Sequence, residues 1–315
     1  MTKNILVSVI VAFIDKDKKY LRECLTSIEK SANYAGIPLE FVLIANGTAI
    51  DSINYLSSPL KILKNKKNIG FGKAINQAVE HTKGDWCLLS CPDVISDKNT
   101  LKNIFKNINK NKLAIIGPKI ILSDGSTQRT ILSYPTLTNI FLEQSYLYKI
   151  FPSLFHSPLS NEKIYKDINY SDAIAAVFWL FNRKLFIKLG GFDKRFFLYF
   201  EDVEFCRRIK DAGYKIAYNP VSRVLHLEHK STLGNTSGSL YFKSLNQYLS
   251  KYYDNLYKVS VLTIFISGCL IRLVLWLFAI SFIKNGSGKI RAEKKIKFCS
   301  DVIREVNIIP SFLYK

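Results

Sequence analysis

The sequence predicts an α/β protein in which a mostly parallel sheet carries helices on both faces, followed by a helical C-terminal region. Continuous apolar, β-rich runs such as 6–14 and 39–45 are typical of strands that are buried on both faces. Segments with helical spacing of apolar residues alternate with these runs, and this alternation indicates a parallel sheet. Ligands of such sheets bind beyond the carboxyl ends of the strands, so we expect the functional site in the loops that follow them.

The expected elements follow one another with short connections through most of the chain. We expect strands or other regular extended structure over residues 6–14, 39–45, 60–63, 85–90, 113–121, 173–181, 215–218 and 223–226. We expect helices over residues 19–34, 72–82, 100–109, 183–189 and 201–212. The stretch 123–169 is rich in Pro, Ser and aromatic residues, and we expect it to be a less regular excursion beside the site.

Length and charge narrow the class of protein. The chain has 315 residues, 48% of them hydrophobic, which is enough for one large domain with an appendage. Its formal net charge of +20 indicates an anionic partner, such as nucleic acid, an anionic membrane or a phosphate-rich small molecule. The lysines are spread along the chain without a nucleic-acid-binding motif, so the sequence predicts no nucleic-acid partner.

Cysteine usage and the N-terminal residues indicate a cytosolic setting. Six cysteines are scattered without any CxxC pair, which is typical of a protein in a reducing compartment. The apolar run 5–14 leads into the charged run 15–19 without a small-residue cleavage site. It therefore predicts a buried first strand rather than a secretory signal.

A glycine-containing turn precedes the second expected helix, with the sequence Asn68-Ile-Gly70-Phe71-Gly72-Lys-Ala-Ile-Asn76. Glycines at a helix start let backbone N–H groups approach an anion closely, and the helix N-terminus favours negative charge. An ordinary tight turn between a strand and a helix has the same pattern, so the spacing leaves both interpretations open.

Asp93 follows the expected strand 85–90 in the sequence Cys91-Pro92-Asp93. A carboxylate at a strand end suits a divalent cation that bridges two phosphates. The alternative is a solvated aspartate in a turn, which the neighbouring proline favours. Asn46 and the turn that begins at Asn68 also follow strands, so we expect them to converge with Asp93 on one crevice.

An acidic run, Glu201, Asp202 and Glu204, begins a helix directly after the aromatic stretch 196–200. Acidic residues are common at helix starts, where they cap the backbone N–H groups. Apolar surroundings raise the pKa of a carboxyl group and suit a general base. Capping and catalysis are both open on this run alone.

His226 and His229 form a His-x-x-His pair after the last expected strand. Such a pair can bind a metal, or it can be structural or contact a phosphate. Zinc is not favoured, because no further Cys or His lies at ligand spacing.

In their order along the chain, these four features resemble the inverting family 2 glycosyltransferases, which have the GT-A fold. The resemblance covers residues 5–235 and is specific in two places. Residues 68–76 are similar to the family segment N-x-G-F-G-x-A-x-N. Residues 190–214 are similar to the segment G-G-F-D-x-x-F-F-x-Y-x-E-D-V-D-L-C-x-R-x-x-x-x-G-Y. This longer segment resembles the rhamnosyltransferase branch, which makes bacterial cell-surface polysaccharides.

The resemblance implies a role for each matching residue. Asp202 matches the catalytic base, and Asp93 matches the last Asp of the metal-binding D-x-D motif. His226 matches a histidine that helps hold the metal or the diphosphate, so the implied cofactor is a divalent cation, Mg²⁺ or Mn²⁺. The donor-binding candidates are Asn46, Asn68, Gly70, Phe71, Gly72 and Asn76, and the acceptor-side candidates are Asp172, Glu201 and Glu204.

Three departures from the family pattern are visible. Cys91 stands at the first D-x-D position, so Asp93 is left as the carboxylate ligand of that motif. Ala45 stands where the family usually has an aspartate that contacts the nucleotide base, and His229 replaces the glycine of H-x-x-G-x-S. The second departure, Ala45, bears more on the donor than on the class of reaction.

The reaction that the resemblance implies is transfer of a sugar with inversion. The donor expected is dTDP-rhamnose, and the acceptor is a glycan linked to polyprenyl diphosphate, for O-antigen, capsule or another surface polysaccharide. The alternatives are a UDP-hexose donor and a catalytically impaired sugar-binding homologue. A nucleotidyltransferase is less favoured, because no glycine follows the first strand in residues 12–15.

The C-terminal region, 239–315, follows the GT-A domain expected over 1–238. Large apolar side chains recur at helical spacing among lysines from Tyr241 to Leu256, which is typical of an interfacial helix. Residues 259–283 are apolar and long enough to span a bilayer, but basic residues on both flanks set no orientation. We expect attachment to the cytoplasmic face of the bacterial inner membrane by an amphipathic or re-entrant segment, with a full span and a buried core helix as alternatives.

Overall fold

The computed structural model describes residues 5–108, 112–147, 162–227, 237–283 and 286–307. Contacts divide these residues into two compact units. The first lies within 1–133, 161–197 and 201–231, and the second within 134–160, 198–200 and 232–315. The predicted domain boundary at residue 238 stays a prediction.

Eleven strands occur among the described residues. They are β1 (Val7–Phe13), β2 (Leu39–Asn46), β3 (Leu60–Asn65), β4 (Trp86–Ser90), β5 (Val94–Ser96), β6 (Leu113–Leu122), β7 (Ile131–Leu132), β8 (Asn169–Tyr170), β9 (Ala173–Ile174), β10 (Phe178–Asn182) and β11 (Lys215–His226). The main sheet has the order β3-β2-β1-β4-β10-β6-β11-β5, with β8 paired to β11. Strands β1 to β4 pair in parallel, as do β6 and β11, whereas β10 is antiparallel to both of its neighbours. The predicted mostly parallel sheet is confirmed.

Helices flank the sheet of the first unit. They are α1 (Lys18–Ala35), α2 (Phe71–Glu80), α3 (Thr100–Phe105), α5 (Arg183–Lys188) and α6 (Glu201–Asp211). The side chains of Val9 and Val11 pack with those of α1 and α3 in one core, because alternate residues of β1 point to the same face. Helix α2 packs on β1 and β2 with a separate set of buried residues that includes Ala74 and Ile75. Helices therefore cover both faces, as predicted.

Two parts of the sheet differ from the expected elements. The segments expected as separate strands, 215–218 and 223–226, form the single strand β11, whose pairing with β6 is interrupted between Asn219 and Arg223. Pro220 lies in this interruption, and proline has no N–H to donate to a ladder. The three-residue strand β5 was not expected, because so short a run has no periodicity of its own.

The second unit is helical. Its helices are α4 (Leu137–Ser145), α7 (Gly238–Tyr252), α8 (Asn255–Ile280) and α9 (Ser287–Asn307). Among the described helices, α8 is the one that is long and apolar enough to cross a membrane by length and composition. One stripe of α8, which contains Val261, Phe265 and Cys269, is buried against the other helices of this unit. The predicted helical C-terminal region is confirmed.

Candidate functional site

Asp93 and His226 meet at the carboxyl end of β4 because β5 pairs with β11. Val94 lies opposite His226 in this antiparallel pair, and the N–H of Leu227 donates to the carbonyl oxygen of Asp93 at 3.0 Å. The Nε2 atom of His226 lies 3.2 Å from Oδ1 of Asp93, and the two side chains are 3% and 0% exposed. The structure thus brings together the two predicted metal ligands.

The side chain of Gln128 holds the second nitrogen of the imidazole ring, Nδ1, in place. Its Oε1 lies 2.7 Å from Nδ1 of His226, so in this assignment of the amide Nδ1 carries a proton. A neutral imidazole then turns the lone pair of Nε2 toward the carboxylate of Asp93. A cation bound by both atoms would compensate this meeting of two electron-rich atoms.

The donor set of this pair suits a divalent cation. Imidazole nitrogen and carboxylate oxygen are both ligands of Mn²⁺, whereas Mg²⁺ prefers oxygen. No group of three or more His, Cys, Asp or Glu side chains that could hold a metal occurs within the described ranges of the chain. Asp93 and His226 therefore fit a cation that takes its remaining ligands from phosphate oxygens and water.

Cys91 carries a thiol where the D-x-D motif has a carboxylate. Burial raises the pKa of this thiol well above its usual range, and the charge of Asp93 raises it further. Soft sulfur ligands suit metals other than Mg²⁺ and Mn²⁺, which favour carboxylate oxygen. The Sγ atom of Cys91 lies 3.9 Å from the carbonyl oxygen of Ala176.

The same residue, Ala176, holds the predicted base. Its N–H donates to Oδ2 of Asp202 at 3.1 Å, and the N–H of Val203 donates to Oδ1 at 2.8 Å. Asp202 lies in the first turn of α6, directly after two non-glycine residues with left-handed backbones, Tyr199 (φ 69°) and Phe200 (φ 65°). One residue, Ala176, thus contacts both the connection between β4 and β5 and the carboxylate of Asp202.

Asp202 and Glu201 differ in their surroundings although they are adjacent. Asp202 is half-buried and burial raises its pKa, while backbone hydrogen bonds favour its ionised form. Glu201 is 4% exposed, and its Oε2 has no hydrogen-bond partner among the residues that the structure describes. Burial and the charge of Asp202 raise the pKa of Glu201 well above its usual value. Of the two side chains, Asp202 is therefore the one on which the negative charge is favoured, and Glu201 the one that favours the proton.

Glu204 has a structural contact. Its two carboxylate oxygens accept from Nε and Nη2 of Arg208 at 2.8 and 2.7 Å, and the side chain is fully buried. The guanidinium also donates to the carbonyl oxygens of Leu189 and Gly191. Glu204 therefore fixes α6 to the Gly190-Gly191 turn, and its predicted acceptor-side role stays a prediction.

Asp172 is placed apart from the acidic helix start. Its carboxylate forms an ion pair with Nζ of Lys210, in the last turn of α6. Asp202 is in the first turn of the same helix, and its backbone lies about 12 Å from that of Lys210 along the axis, at 1.5 Å per residue. Asp172 is thus paired with the last turn of α6, whereas Asp202 lies in its first turn, and an acceptor-side role for Asp172 stays a prediction.

The side-chain amides of Asn46 and Asn68 form hydrogen bonds with the loop between β3 and α2. The Nδ2 of Asn46 donates to Oδ1 of Asn68 at 2.8 Å, and its Oδ1 accepts from the N–H of Ile69 at 3.1 Å. Oδ1 of Asn68 also accepts from the N–H of Gly70 at 2.9 Å. These contacts shape the loop, and donor contacts by the two side chains stay a prediction.

The two segments that carry the family resemblance are bonded to each other. Asn76 clamps Phe192, since its Nδ2 donates to the carbonyl oxygen at 2.7 Å and its Oδ1 accepts from the N–H at 2.8 Å. The N–H of Phe71 donates to the carbonyl oxygen of Phe197 at 2.9 Å, and a Cβ on Gly70 would lie 2.6 Å from that oxygen. A Cβ on Gly72 would lie 3.1 Å from Cβ of Phe192. The glycines here allow close packing, and their predicted contacts with the donor stay predictions.

Two further residues beside the site have no recognisable signal in the sequence. Gln128 is one; it is positioned by its own N–H, which donates to the carbonyl oxygen of Ile120 at 2.9 Å. Asp17 is the other; it lies in a 3-10 turn between β1 and α1, is 3% exposed, and has a pKa that burial raises to about 7. In the sequence Asp17 is one of a run of charged residues that looks solvated. His229 and the rest of its predicted motif lie outside the described residues.

The sequence matches two protein families. Residues 8–190 match Glycosyl transferase family 2, and residues 156–230 match the N-terminal domain of galactosyltransferase. The rhamnosyltransferase WbbL of Escherichia coli is 24% identical over 197 residues, which are 58% of this chain and 70% of that protein. The N-acetylglucosaminyl-diphospho-decaprenol L-rhamnosyltransferase of Mycobacterium tuberculosis is 26% identical over 191 residues, 55% of this chain and 60% of that protein.

Solved structures share the fold at low sequence identity. The mannosyltransferase PcManGT from Pyrobaculum calidifontis, in complex with GDP-Man and Mn²⁺, has a TM-score of 0.53 and 14% identity, and covers 97% of this chain and 87% of that one. GalNAc-T7 with UDP, GalNAc and Mn²⁺ has a TM-score of 0.51 and 16% identity, and covers 78% of this chain and 48% of that one.

Proposed function

This chain belongs to glycosyl transferase family 2, and we propose that it transfers a sugar from a nucleotide donor to a lipid-linked glycan with inversion. One structural observation carries the proposal: Asp93 of the buried Asp93–His226 pair lies in the β4–β5 connection, and Ala176, which holds the carboxylate of Asp202, contacts Cys91 of the same connection. A site for a diphosphate and a site for a proton acceptor therefore adjoin.

We propose rhamnose as the sugar, with dTDP-rhamnose as the donor. The two bacterial relatives are both rhamnosyltransferases, and the name of one specifies a decaprenol-diphosphate-linked acceptor. A glycan on polyprenyl diphosphate, used for O-antigen, capsule or another surface polysaccharide, fits these names. A UDP-hexose donor is the second candidate, since Ala45 departs from the usual contact with the nucleotide base.

In the proposed reaction Asp202 accepts the proton of the acceptor hydroxyl. The hydroxyl oxygen forms a bond with the anomeric carbon as the bond from that carbon to the diphosphate oxygen breaks, and the electron pair leaves with the diphosphate. Asp202 suits this step because it is half-buried and held by two backbone N–H groups, which favour its ionised form. Burial and the charge of Asp202 raise the pKa of Glu201, so a second carboxylate charge beside the base is disfavoured.

Asp93 and His226 would hold a divalent cation. When bound, such an ion neutralises charge that develops on the leaving diphosphate. Gln128 keeps the imidazole of His226 in the tautomer and orientation that direct Nε2 toward this position. Two structural neighbours contain Mn²⁺, and the mixed nitrogen and oxygen donor set supports Mn²⁺ over Mg²⁺.

Helix α8 supports attachment to the cytoplasmic face of the inner membrane. Opposite its buried stripe it exposes an apolar face, formed by Leu256, Val259, Leu270, Ile271, Val274, Leu275, Leu277 and Phe278. Both charged residues of α8 are turned to the protein: Arg272 donates to the carbonyl oxygen of Glu143 and lies 4.2 Å from the ring centroid of Tyr146, and Lys258 contacts Ser250. A helix with one protein face and one apolar face suits a position in the plane of the membrane rather than a span.

The test is a donor panel with the purified full chain. Hydrolysis and transfer are measured with dTDP-rhamnose, UDP-glucose, UDP-N-acetylglucosamine and GDP-mannose, each with Mn²⁺, Mg²⁺ or EDTA, and with a synthetic polyprenyl-diphosphate-linked N-acetylglucosamine. We expect metal-dependent turnover of dTDP-rhamnose. Turnover of a UDP-hexose instead would establish the second candidate donor, and binding of a donor without any turnover would indicate an impaired homologue.

A further inference from the structure

Asp17 has a buried carboxylate oxygen that the protein does not satisfy. Its Oδ2 accepts from the N–H of Ile14 at 2.9 Å, which closes the turn after β1. Its Oδ1 is shielded from solvent and has no hydrogen-bond partner among the described residues. Burying such an oxygen without a partner costs free energy, and buried polar atoms in native proteins are nearly always hydrogen-bonded. The exception indicates a group that arrives with a ligand.

Asp17 lies close to the connection between β4 and β5, residues 91–93. Strand β1 pairs directly with β4, and Ile10 lies opposite Leu89, so the loops after the two strands adjoin. The charge of Asp17 acts on the thiol of Cys91 and on the carboxylate of Asp93. Cys91 stands at the first position of the D-x-D motif, where the family carries an aspartate. Asp17 therefore brings a carboxylate close to the position that lacks one.

The strand order places Asp17 and the proposed base, Asp202, on opposite sides of β4. Strand β1 lies on one side of β4, and β10, which follows Ala176 and thus the contact to Asp202, lies on the other. A donor with its diphosphate at Asp93 and its sugar toward Asp202 then extends its nucleoside toward β1. The ribose is the part of the nucleoside next to the diphosphate, and its hydroxyl groups are hydrogen-bond donors.

Resting on the function proposed above, we propose that Asp17 binds the donor by accepting a hydrogen bond from the ribose 3′-hydroxyl at Oδ1. A direct contact with a cation is not favoured, because the residues that the structure describes contain no group of three potential metal ligands. Asp17 is therefore a donor-binding residue that supplies, from the loop after β1, a carboxylate that position 91 lacks.

Calorimetry with the full chain and Mn²⁺ tests this. Affinities for dTDP, UDP and GDP are measured first, and the nucleotide that binds tightest is compared with its 3′-deoxy form on the wild type and on Asp17→Asn. The asparagine keeps an oxygen for Ile14 and loses the charged acceptor. We expect about 10-fold weaker binding for Asp17→Asn, because a hydrogen bond to a charged group contributes roughly 1.5–3 kcal/mol. The 3′-deoxy nucleotide should bind the wild type about 10-fold less tightly, and Asp17→Asn should no longer distinguish the two ligands.

Asp85→Asn is the matched control, since it removes an exposed carboxylate just before β4, at the opposite edge of the sheet. It should bind the nucleotide like the wild type. Unchanged affinity in Asp17→Asn, or full discrimination of the 3′-deoxy form by that variant, overturns the inference and leaves the proposed function intact. Should Asp17→Asn not fold, equal affinity of the wild type for the two ligands overturns it. A wild type that binds none of the three nucleotides overturns the proposed function as well.

Discussion

Nε2 of His226 lies 3.2 Å from Oδ1 of Asp93, although 133 residues separate them in the chain. The contact exists because a three-residue strand after Asp93 pairs with the last strand of the sheet, at the end of which His226 stands. Each side chain is almost fully buried, so the pair is held in place before any ligand binds. The affinity of this preformed pair for a metal ion should depend on a third residue, Gln128, because it orients the imidazole.

We predict that Gln128→Ala weakens Mn²⁺ binding by about 10- to 100-fold, because second-shell partners of a histidine ligand contribute that much. Paramagnetic resonance titration of Mn²⁺ in the presence of a nucleoside diphosphate measures it. Ser126→Ala, two residues away, is the control and should bind Mn²⁺ like the wild type. Equal affinity of Gln128→Ala and wild type would show that His226 does not take part in metal binding.

Asp202→Asn should abolish transfer, with kcat lower by about 10²- to 10⁴-fold, which is the usual contribution of a general base. The amide keeps an oxygen to accept from Ala176, so the donor should bind with unchanged affinity. Steady-state kinetics and calorimetry of the same preparations measure both. Asp211→Asn, at the exposed end of the same helix, serves as control. Near-normal kcat in Asp202→Asn would rule out its role as base.

Relative to the wild type, the Glu201→Gln variant should become more stable as pH rises. The pKa of Glu201 is raised in the folded state, so the folded protein binds a proton that the unfolded chain has released at neutral pH. The stability associated with that proton is present at low pH and is lost as pH rises toward the folded-state pKa. Glutamine has no such dependence, so the difference in urea midpoint between variant and wild type should grow from pH 4 to pH 8. A difference that shrinks over this range contradicts a protonated Glu201.

Gly70→Ala should lower the free energy of unfolding by about 3 kcal/mol or more, from strain and overpacking together. Gly70 has a φ of 90°, and a Cβ there would meet the carbonyl oxygen of Phe197 at 2.6 Å. Gly125→Ala is the matched control: its φ is 82°, but nothing lies within 4 Å of the added atom. It should cost about 1–2 kcal/mol from backbone strain. Equal losses in urea unfolding would show that the contact with Phe197 is unimportant.

Charges on the exposed face of α8 should release the protein from membranes. The double variant Val274→Asp, Phe278→Asp changes residues that are 67% and 68% exposed, so the fold should tolerate it. Cosedimentation with vesicles of phosphatidylglycerol and phosphatidylethanolamine measures binding, which depends on apolar area placed in the membrane. Val221→Asp, at a position 61% exposed in the first unit, is the control. An unchanged bound fraction in the double variant would contradict an interfacial position of α8.

Local patterns sufficed for much of this fold. Long apolar runs predicted β1, β2 and β6, and apolar residues at helical spacing predicted α1, because such periodicities depend only on which faces are buried. Elements without a pattern of their own were missed or misjudged. Strand β5 has three residues, and the interruption of β11 at Asn219 depends on its pairing with β6.

The same distinction holds for the site. The kinds of chemical group, their order along the chain and their expected place at strand ends follow from local sequence, which was enough to indicate Asp93, Asp202 and His226. The contacts that these groups make follow from the folded chain alone. Asn76 clamps Phe192 and Glu204 binds Arg208, and neither contact is visible in the sequence. Asp17 looks solvated, yet it is buried beside the site. The reason is physical: hydrogen bonds and burial act over a few ångströms, and pairings between strands far apart in the chain set which groups come that close.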